Sequence, residues 1–314
     1  MTQHGGTPTT SARVGFHDGE LLVQRRAGVD EEASRLAGML AAPRLDGSIA
    51  GFVADRDLVF LTAHDASGTL WTSPVTGRPG FTTIEAGRLH VAGAPGPGDP
   101  LADLGPGNVV GTLFVDFGRR RRVRVNGVVT GVGPDGLHID VDQAYGNCPR
   151  YIHRRQVHPG DEPDSRRPRV EYRGSRLDRE SVEQIHRADT FVLGTAHPVS
   201  GADTSHRGGA PGFVRVEPDG SLWWPDLPGN NLFNSLGNIT ADPRASLVFL
   251  DPATGRTVQI SGRATVAWVP PDSPGDDGGT GRRVQVWPEH VITTEGPARH
   301  LVDTEPGRDH PVPA

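Results

Sequence analysis

The chain has 314 residues, enough for two ordinary domains, and carries a formal net charge of −6 in which all 32 basic residues are arginine. Having no lysine excludes Schiff-base and phosphate-loop lysine chemistry, so any anion must be held by guanidinium, backbone N–H or hydroxyl groups; the acidic balance argues against a general nucleic-acid binder. The single cysteine, Cys148, excludes an internal disulfide framework and a Cys-rich metal site, and no apolar run is long enough to span a membrane.

Residues 1–14 lack the apolar core of a signal peptide and are expected to form a disordered leader to a cytoplasmic protein. His17, Asp18 and Glu20 form a polar cluster without recognised metal-ligand spacing. An amphipathic helix is expected over residues 31–40, then a buried strand over 57–63. Further strands are expected near 80–84, 89–91, 109–116, 121–129 and 137–141, with a helical tail over 142–155. A Pro- and charge-rich linker follows at 158–170. The pattern then recurs: a helix over 179–187 with Asp178 as N-cap, and strands at 190–196, 212–216, 222–224, 245–251 and 257–266. A Gly/Asp-rich loop at 270–282 precedes a last strand at 284–287.

The recurrence is a tandem duplication. Leu58-Val-Phe-Leu-Thr-Ala-His64 matches Phe191-Val-Leu-Gly-Thr-Ala-His197, and Thr72-Ser-Pro-Val-Thr-Gly-Arg-Pro-Gly-Phe81 matches Thr204-Ser-His-Arg-Gly-Gly-Ala-Pro-Gly-Phe213. Pro97-Gly-Asp-Pro-Leu101 matches Pro228-Gly-Asn-Asn-Leu232, and Leu113-Phe-Val-Asp116 with Gly127 matches Leu247-Val-Phe-Leu-Asp251 with Gly262. The expected organisation is an N-terminal copy over 15–157 and a C-terminal copy over 171–314, mainly β with a few helices and packed as an intramolecular pseudo-dimer.

Three runs carry a resemblance: Ser205-His-Arg-Gly-Gly-Ala-Pro-Gly-Phe-Val-Arg215, Leu222-Trp-Trp-Pro-Asp-Leu-Pro-Gly-Asn-Asn231, and Leu236-Gly-Asn-Ile-Thr-Ala-Asp-Pro-Arg-Ala-Ser-Leu-Val-Phe-Leu-Asp251. They resemble the pyridoxamine 5′-phosphate oxidase-like, FMN-binding split-barrel proteins. Phe16-His-Asp-Gly-Glu20 and Gln143-Ala-Tyr-Gly-Asn-Cys-Pro-Arg-Tyr-Ile152 are similar to the longer, two-copy members. The resemblance spans about residues 15–266. It implies two tandem split β-barrels of six strands each, with FMN between them and an oxidoreductase acting on a small organic substrate, of the kind found in secondary metabolism. A haem- or deazaflavin-using enzyme, or a flavin-binding protein without turnover, are the alternatives. The expected state is a monomer with internal pseudo-symmetry or a homodimer.

On that reading Ser205, His206, Arg207 and Gly208 form a turn suited to the cofactor phosphate, whereas Ser73-Pro-Val-Thr-Gly77 of the first copy lacks the His and Arg. Asn230, Asn231 and Asn234 offer paired donors and acceptors to a flavin edge or ribityl chain, or else serve turns and caps, with Asn231 the N-cap of a helix over 232–237. Within Arg119-Arg-Arg-Arg-Val-Arg124, either a solvated hairpin or anion contacts from Arg122 and Arg124 are possible readings. Tyr145, Asn147 and Tyr151 either face the cofactor or pack a tail across the other copy.

Overall fold

The computed structural model describes residues 15–40, 45, 47–147, 149–157, 168–251, 253–270, 273, 276, 278–296 and 301–303. The expected leader, most of the linker and Cys148 lie outside these residues. Strand accounts for 46% and helix for 17% of the described residues, in two large antiparallel sheets and one two-stranded sheet.

The chain begins with α1 (Asp18–Ala27), α2 (Asp30–Ser34), a 3₁₀ turn (Ala37–Leu40) and α3 (Gly47–Ala54). The first sheet contains β1 (Leu58–His64), β2 (Leu70–Thr76), β3 (Thr82–Glu85), β4 (Arg88–Val91), β5 (Val109–Asp116), β6 (Arg121–Gly133) and β7 (Gly136–Asn147). Then come β8 (Arg155–Val157) and β9 (Arg169–Gly174). The second copy holds α4 (Arg179–Arg187), β10 (Thr190–His197), β11 (Gly201–Gly208), β12 (Arg215–Val216), β13 (Leu222–Pro225), α5 (Asn234–Ala241), β14 (Arg244–Leu250), β15 (Arg256–Trp268) and β16 (Arg282–Glu295). A last strand, β17 (Leu301–Asp303), pairs with β8.

The sheet orders are β2-β1-β5-β6-β7-β4-β3 and β11-β10-β14-β15-β16-β13-β12, with β9 added to β16. Replacing each strand of the first path by its counterpart gives the second, so the duplication in sequence is a duplication of topology. Each path has seven strands rather than six and does not close on itself among the described residues.

Several expectations are corrected. The described residues of the run 142–155 are not helical: β7 continues to Asn147, because its residues pair with β6 through the Arg122–Asn147 register. The helix preceding β1 is α3, not residues 31–40, which hold only α2 and the 3₁₀ turn. The polar runs at 72–76 and 204–208 are strands, not turns. The cluster at residue 17 is a helix cap: His17 Nδ1 accepts from the N–H groups of Gly19 and Glu20, and its own N–H donates to Glu20 Oε2 at 2.9 Å. The helix expected at 232–237 starts instead at Asn234, with Phe233 in the left-handed region at its N-cap.

The alignment of the copies also shifts by one residue at β1. Phe191 and Leu193 point into the C-terminal core, as Val59 and Leu61 do in the N-terminal core, so Val59 rather than Leu58 corresponds to Phe191. The ladders agree, since Val59 pairs with Phe114 and Val75, while Phe191 pairs with Arg207 and its neighbour Val192 with Val248. A one-residue slip would turn every side chain to the other face. It follows that His64 and His197 are not equivalent positions.

The two sheets meet face to face along a buried thread of hydroxyls. Thr204 Oγ1 donates to Gly111 O at 2.9 Å and is hydrogen-bonded to the Thr62 hydroxyl at 2.6 Å; its counterpart Thr72 reaches Ser246 Oγ at 2.6 Å. Gly194, the counterpart of Thr62, makes this approach possible, since a Cβ there would lie 2.2 Å from Thr72 Oγ1 and 2.3 Å from Ser246 Oγ. Helix α1 crosses to the second copy and packs on α5, where a Cβ on Gly19 would lie 2.2 Å from Gly237 O. No helix among the described residues is long and apolar enough to cross a membrane.

Candidate functional site

Nine of the twelve sequence candidates, from both copies, line one cavity of about 110 Å³; Ser205, Tyr145 and Asn147 do not. Arg122, Arg124 and Tyr151 come from the first copy; His206, Arg207, Gly208, Asn230, Asn231 and Asn234 come from the second. The convergence follows from the sheet contact: β6 of one copy lies against β11 of the other. Arg122 and Arg124, two apart on β6, share a strand face, as do Ser205 and Arg207 on β11.

Ser205 Oγ is the focus. Arg124 Nη2 donates to it at 2.7 Å and Arg207 Nη1 at 2.5 Å. Arg124 Nη1 is held by Asp203 Oδ1 at 3.1 Å and Tyr145 OH at 3.3 Å. Burial alone would lower the Arg124 pKa, but the Asp203 carboxylate and Tyr145 hold it above the ordinary arginine value. Tyr145 is itself buried, which raises its phenol pKa and keeps it a neutral hydrogen-bonding group. Arg207 is pushed down to about 10 by burial, with Arg124 adding to the shift and Asp226 opposing it. Arg122 Nη1 donates to His206 Nδ1 at 2.9 Å. A guanidinium cannot accept, so the proton of the neutral imidazole sits on Nε2. Burial first, then the charges of Arg122 and Arg207, depress His206 well below the usual histidine value. Its Nε2 has no hydrogen-bond partner among the described residues.

The other candidates take different parts. Gly208 is required by the protein itself, since a Cβ there would lie 2.0 Å from Tyr151 O. Tyr151 OH donates to Pro228 O at 2.9 Å and fixes the loop that carries Asn230. Asn230 Oδ1 accepts from Leu232 N at 3.3 Å, and Asn234 Nδ2 donates to Glu20 Oε1 at 2.6 Å, so Asn234 ties α5 to α1. Asn231 has φ 58° and lines the cavity. Asn147 is the register partner of Arg122. No side chain caps α5, and its first three residues line the cavity, which adds helix-terminal N–H donors; Ser235 Oγ, in that turn, is buried without a partner among the described residues.

Sequence reasoning missed Asp203 and Asp226. Asp203 lies one turn of the β alternation before Ser205, and Asp226, whose carboxyl is raised by burial against the pull of Arg282 and Arg207, accepts from Arg282 Nε at 2.9 Å. It also missed how the equivalent place in the first copy is filled. There Gln259 stands for Arg124 and Ser73 for Ser205, with Gln259 Nε2 donating to Ser73 Oγ at 3.0 Å. Asp99, the counterpart of Asn230, accepts from Leu101 N at 2.8 Å and from Ser73 Oγ at 2.6 Å, and lies 3.3 Å from Gln259 Nε2. A protein carboxylate occupies the position that the arginines leave open in the other half.

A second cavity of about 670 Å³ opens at the end of the sheet contact, lined by Leu58, Phe60, Val115, Val192 and Val248 and sharing the His206 ring with the first. Its rim charges include internal pairs, Arg56 with Asp116 at 2.8 Å and Arg155 with Asp189. Thr190 Oγ1 on its wall is buried without a partner among the described residues.

Comparison with known proteins bears on this geometry. No curated protein matches the chain. Among solved structures, it is similar to HupZ from Group A Streptococcus (12% identity, 39% of this chain and 98% of that one, TM-score 0.31). It is also similar to HutZ, a heme storage protein from Vibrio cholerae (14%, 39% and 97%, 0.28), and to a FAD-binding protein from Mesorhizobium loti (16%, 41% and 97%, 0.27). The family model described as pyridoxamine 5′-phosphate oxidase matches residues 177–279, which hold α4 through α5 and β15 together with Ser205, His206, Arg207 and the three asparagines. That match covers about a third of the chain and lies wholly within the C-terminal copy.

Proposed function

We propose that the smaller cavity holds the phosphate of flavin mononucleotide and that the chain is a flavin-dependent oxidoreductase acting on a small organic substrate. The observation that carries this reading is the meeting of Arg124 from one copy and Arg207 from the other on Ser205 Oγ, beside an uncapped helix N-terminus. Arginine forks, a hydroxyl and helix N–H groups are the donor set that recognises a phosphate without lysine.

The fit extends to the phosphate end. The cavity's 110 Å³ suits a phosphate and its adjoining carbon, whereas whole-cofactor pockets run to about 300 Å³ or more. The buried Arg124 Nε and Ser235 Oγ, both without partners among the described residues, are donors of the kind an anion would take up. When bound, the flavin supplies hydride and electron transfer. The chain's own part is to bind and orient. Asp203 and Tyr145 aim Arg124, the neutral His206 aims Arg122, and the hydroxyl thread keeps the two walls in register. The larger apolar cavity across the His206 ring is the space we assign to the substrate.

A haem in that larger cavity, whose wall includes the His206 ring, is the rival reading. One experiment separates the two. The visible spectrum of the purified chain is recorded, and the chain is then titrated with FMN and with riboflavin, which lacks the phosphate. The flavin reading expects a flavin spectrum, or uptake of FMN in strong preference to riboflavin. A Soret band, or failure to take up FMN, overturns it.

A further inference from the structure

We propose that His90, Asp135 and His138 form a binding site for a divalent transition-metal ion of the zinc class. The three lie at the far edge of the first sheet, away from both cavities. His90 on β4 and His138 on β7 are register partners on adjacent antiparallel strands, and their rings stack with centroids 4.7 Å apart. Asp135 stands in the tight turn between β6 and β7. That turn is folded back onto β4 by Gly136, which has φ 113° and where a Cβ would lie 1.9 Å from Val91 O. The fold-back brings Asp135 over the imidazole pair: His138 Nε2 lies 3.0 Å from Asp135 Oδ2 and His90 Nε2 lies 2.9 Å from Asp135 O.

One ligand atom from each residue falls within 4.8 Å of the others. Ligands on a tetrahedral zinc ion are separated by about 3.3 Å, given metal–nitrogen and metal–oxygen bonds near 2.0–2.1 Å. The half-exposed imidazoles and the exposed carboxylate can cover that difference by side-chain rotation without moving the strands. Two imidazoles with one carboxylate select zinc, copper or nickel over magnesium or calcium, which prefer all-oxygen sites. Three protein ligands at the surface leave a position for water. Each neutral imidazole would take the metal on the ring nitrogen that faces Asp135 and carry its own proton on the other ring nitrogen.

The test titrates the chelator-treated full chain with Co²⁺, following its visible ligand-field bands, and with Zn²⁺ by calorimetry. The expected result is one equivalent of metal with low-symmetry cobalt bands, and a loss of affinity of at least about tenfold in His138→Ala and in His90→Gln, each with an unchanged far-UV circular dichroism spectrum. The two variants remove ligands from different strands, so a folding defect in one leaves the other informative. Absence of binding to the wild-type chain, or wild-type affinity in both folded variants, overturns the proposal.

Discussion

Arg124 and Gln259 hold equivalent positions in the two halves, and each reaches across the sheet contact to the serine of the other copy: Arg124 Nη2 to Ser205 Oγ at 2.7 Å, Gln259 Nε2 to Ser73 Oγ at 3.0 Å. The two hydrogen bonds are the same bond related by the internal twofold. What differs is charge. The arginine side presents guanidinium to an open cavity, and the glutamine side closes on Asp99, whose carboxyl pKa is raised by burial against the opposing hydrogen bonds from Ser73 and Leu101. The chain should therefore bind one FMN, not two. The double substitution Asp99→Asn with Gln259→Arg removes the internal anion and supplies the missing cation, and is expected to move the calorimetric stoichiometry above one. Two equivalents bound by the wild-type chain would show that Asp99 closes nothing.

Arg207 donates only to Ser205 Oγ and to the His206 carbonyl among the described residues, both neutral groups. Its charge is thus available to a ligand anion. Arg207→Ala is expected to weaken FMN binding by about 1.5–3 kcal/mol, the range for a hydrogen bond to a charged group, and to leave riboflavin affinity unchanged. Fluorescence titration with both ligands measures the difference. An equal loss for the two would place the phosphate elsewhere.

Much of the fold was legible because most strands carry alternating or continuous apolar residues; β5 and α4, with its Asp178 cap, fall where the pattern puts them. The strands that were hidden, β2 and β11, are the ones that matter most for the site. Their faces toward the other copy carry Thr72, Thr204 and other hydroxyls that are fully buried yet polar, so no hydrophobic period marks them and a proline or glycine suggests a turn. The metal-type cluster was hidden for another reason: His90 and His138 are adjacent only through the β4–β7 ladder. The arginine and asparagine candidates were legible by residue type. Their division into those that face the cavity and those, like Asn234, that bind another helix depended on α1 crossing to the second copy.

The close contact of the sheets predicts a sharp contrast between two glycines. Gly194→Ala would put a Cβ against Thr72 Oγ1 and Ser246 Oγ, both fully buried and hydrogen-bonded to each other, and the overpacking should cost about 1–3 kcal/mol or more. Gly51, in α3, has open space around its Cβ position, and Gly51→Ala should stabilise by about 0.5–1 kcal/mol through helix propensity. Urea unfolding of the two variants checks both signs. A Gly194→Ala protein as stable as wild type would mean the halves are not pressed together as described.

His206 gives the fold a pH dependence of definite sign. Its pKa in the folded chain lies well below the 6.5 of an unfolded histidine, from burial and from the neighbouring guanidiniums. Between those two values the unfolded chain binds the extra proton and the folded chain does not, so the contribution to stability is fully present above about pH 6.5 and is lost as the pH falls. His64, whose pKa is also depressed by burial and by Arg244, acts in the same direction. His206→Gln keeps an acceptor for Arg122 and removes the titration. The urea midpoint of the wild-type chain should therefore fall more steeply from about pH 6.5 to pH 5 than that of the variant, with the two curves running parallel above pH 7. Parallel curves throughout would mean that His206 takes up its proton in the folded state as readily as in the unfolded one, and the neutral imidazole that orients Arg122 would have to be given up.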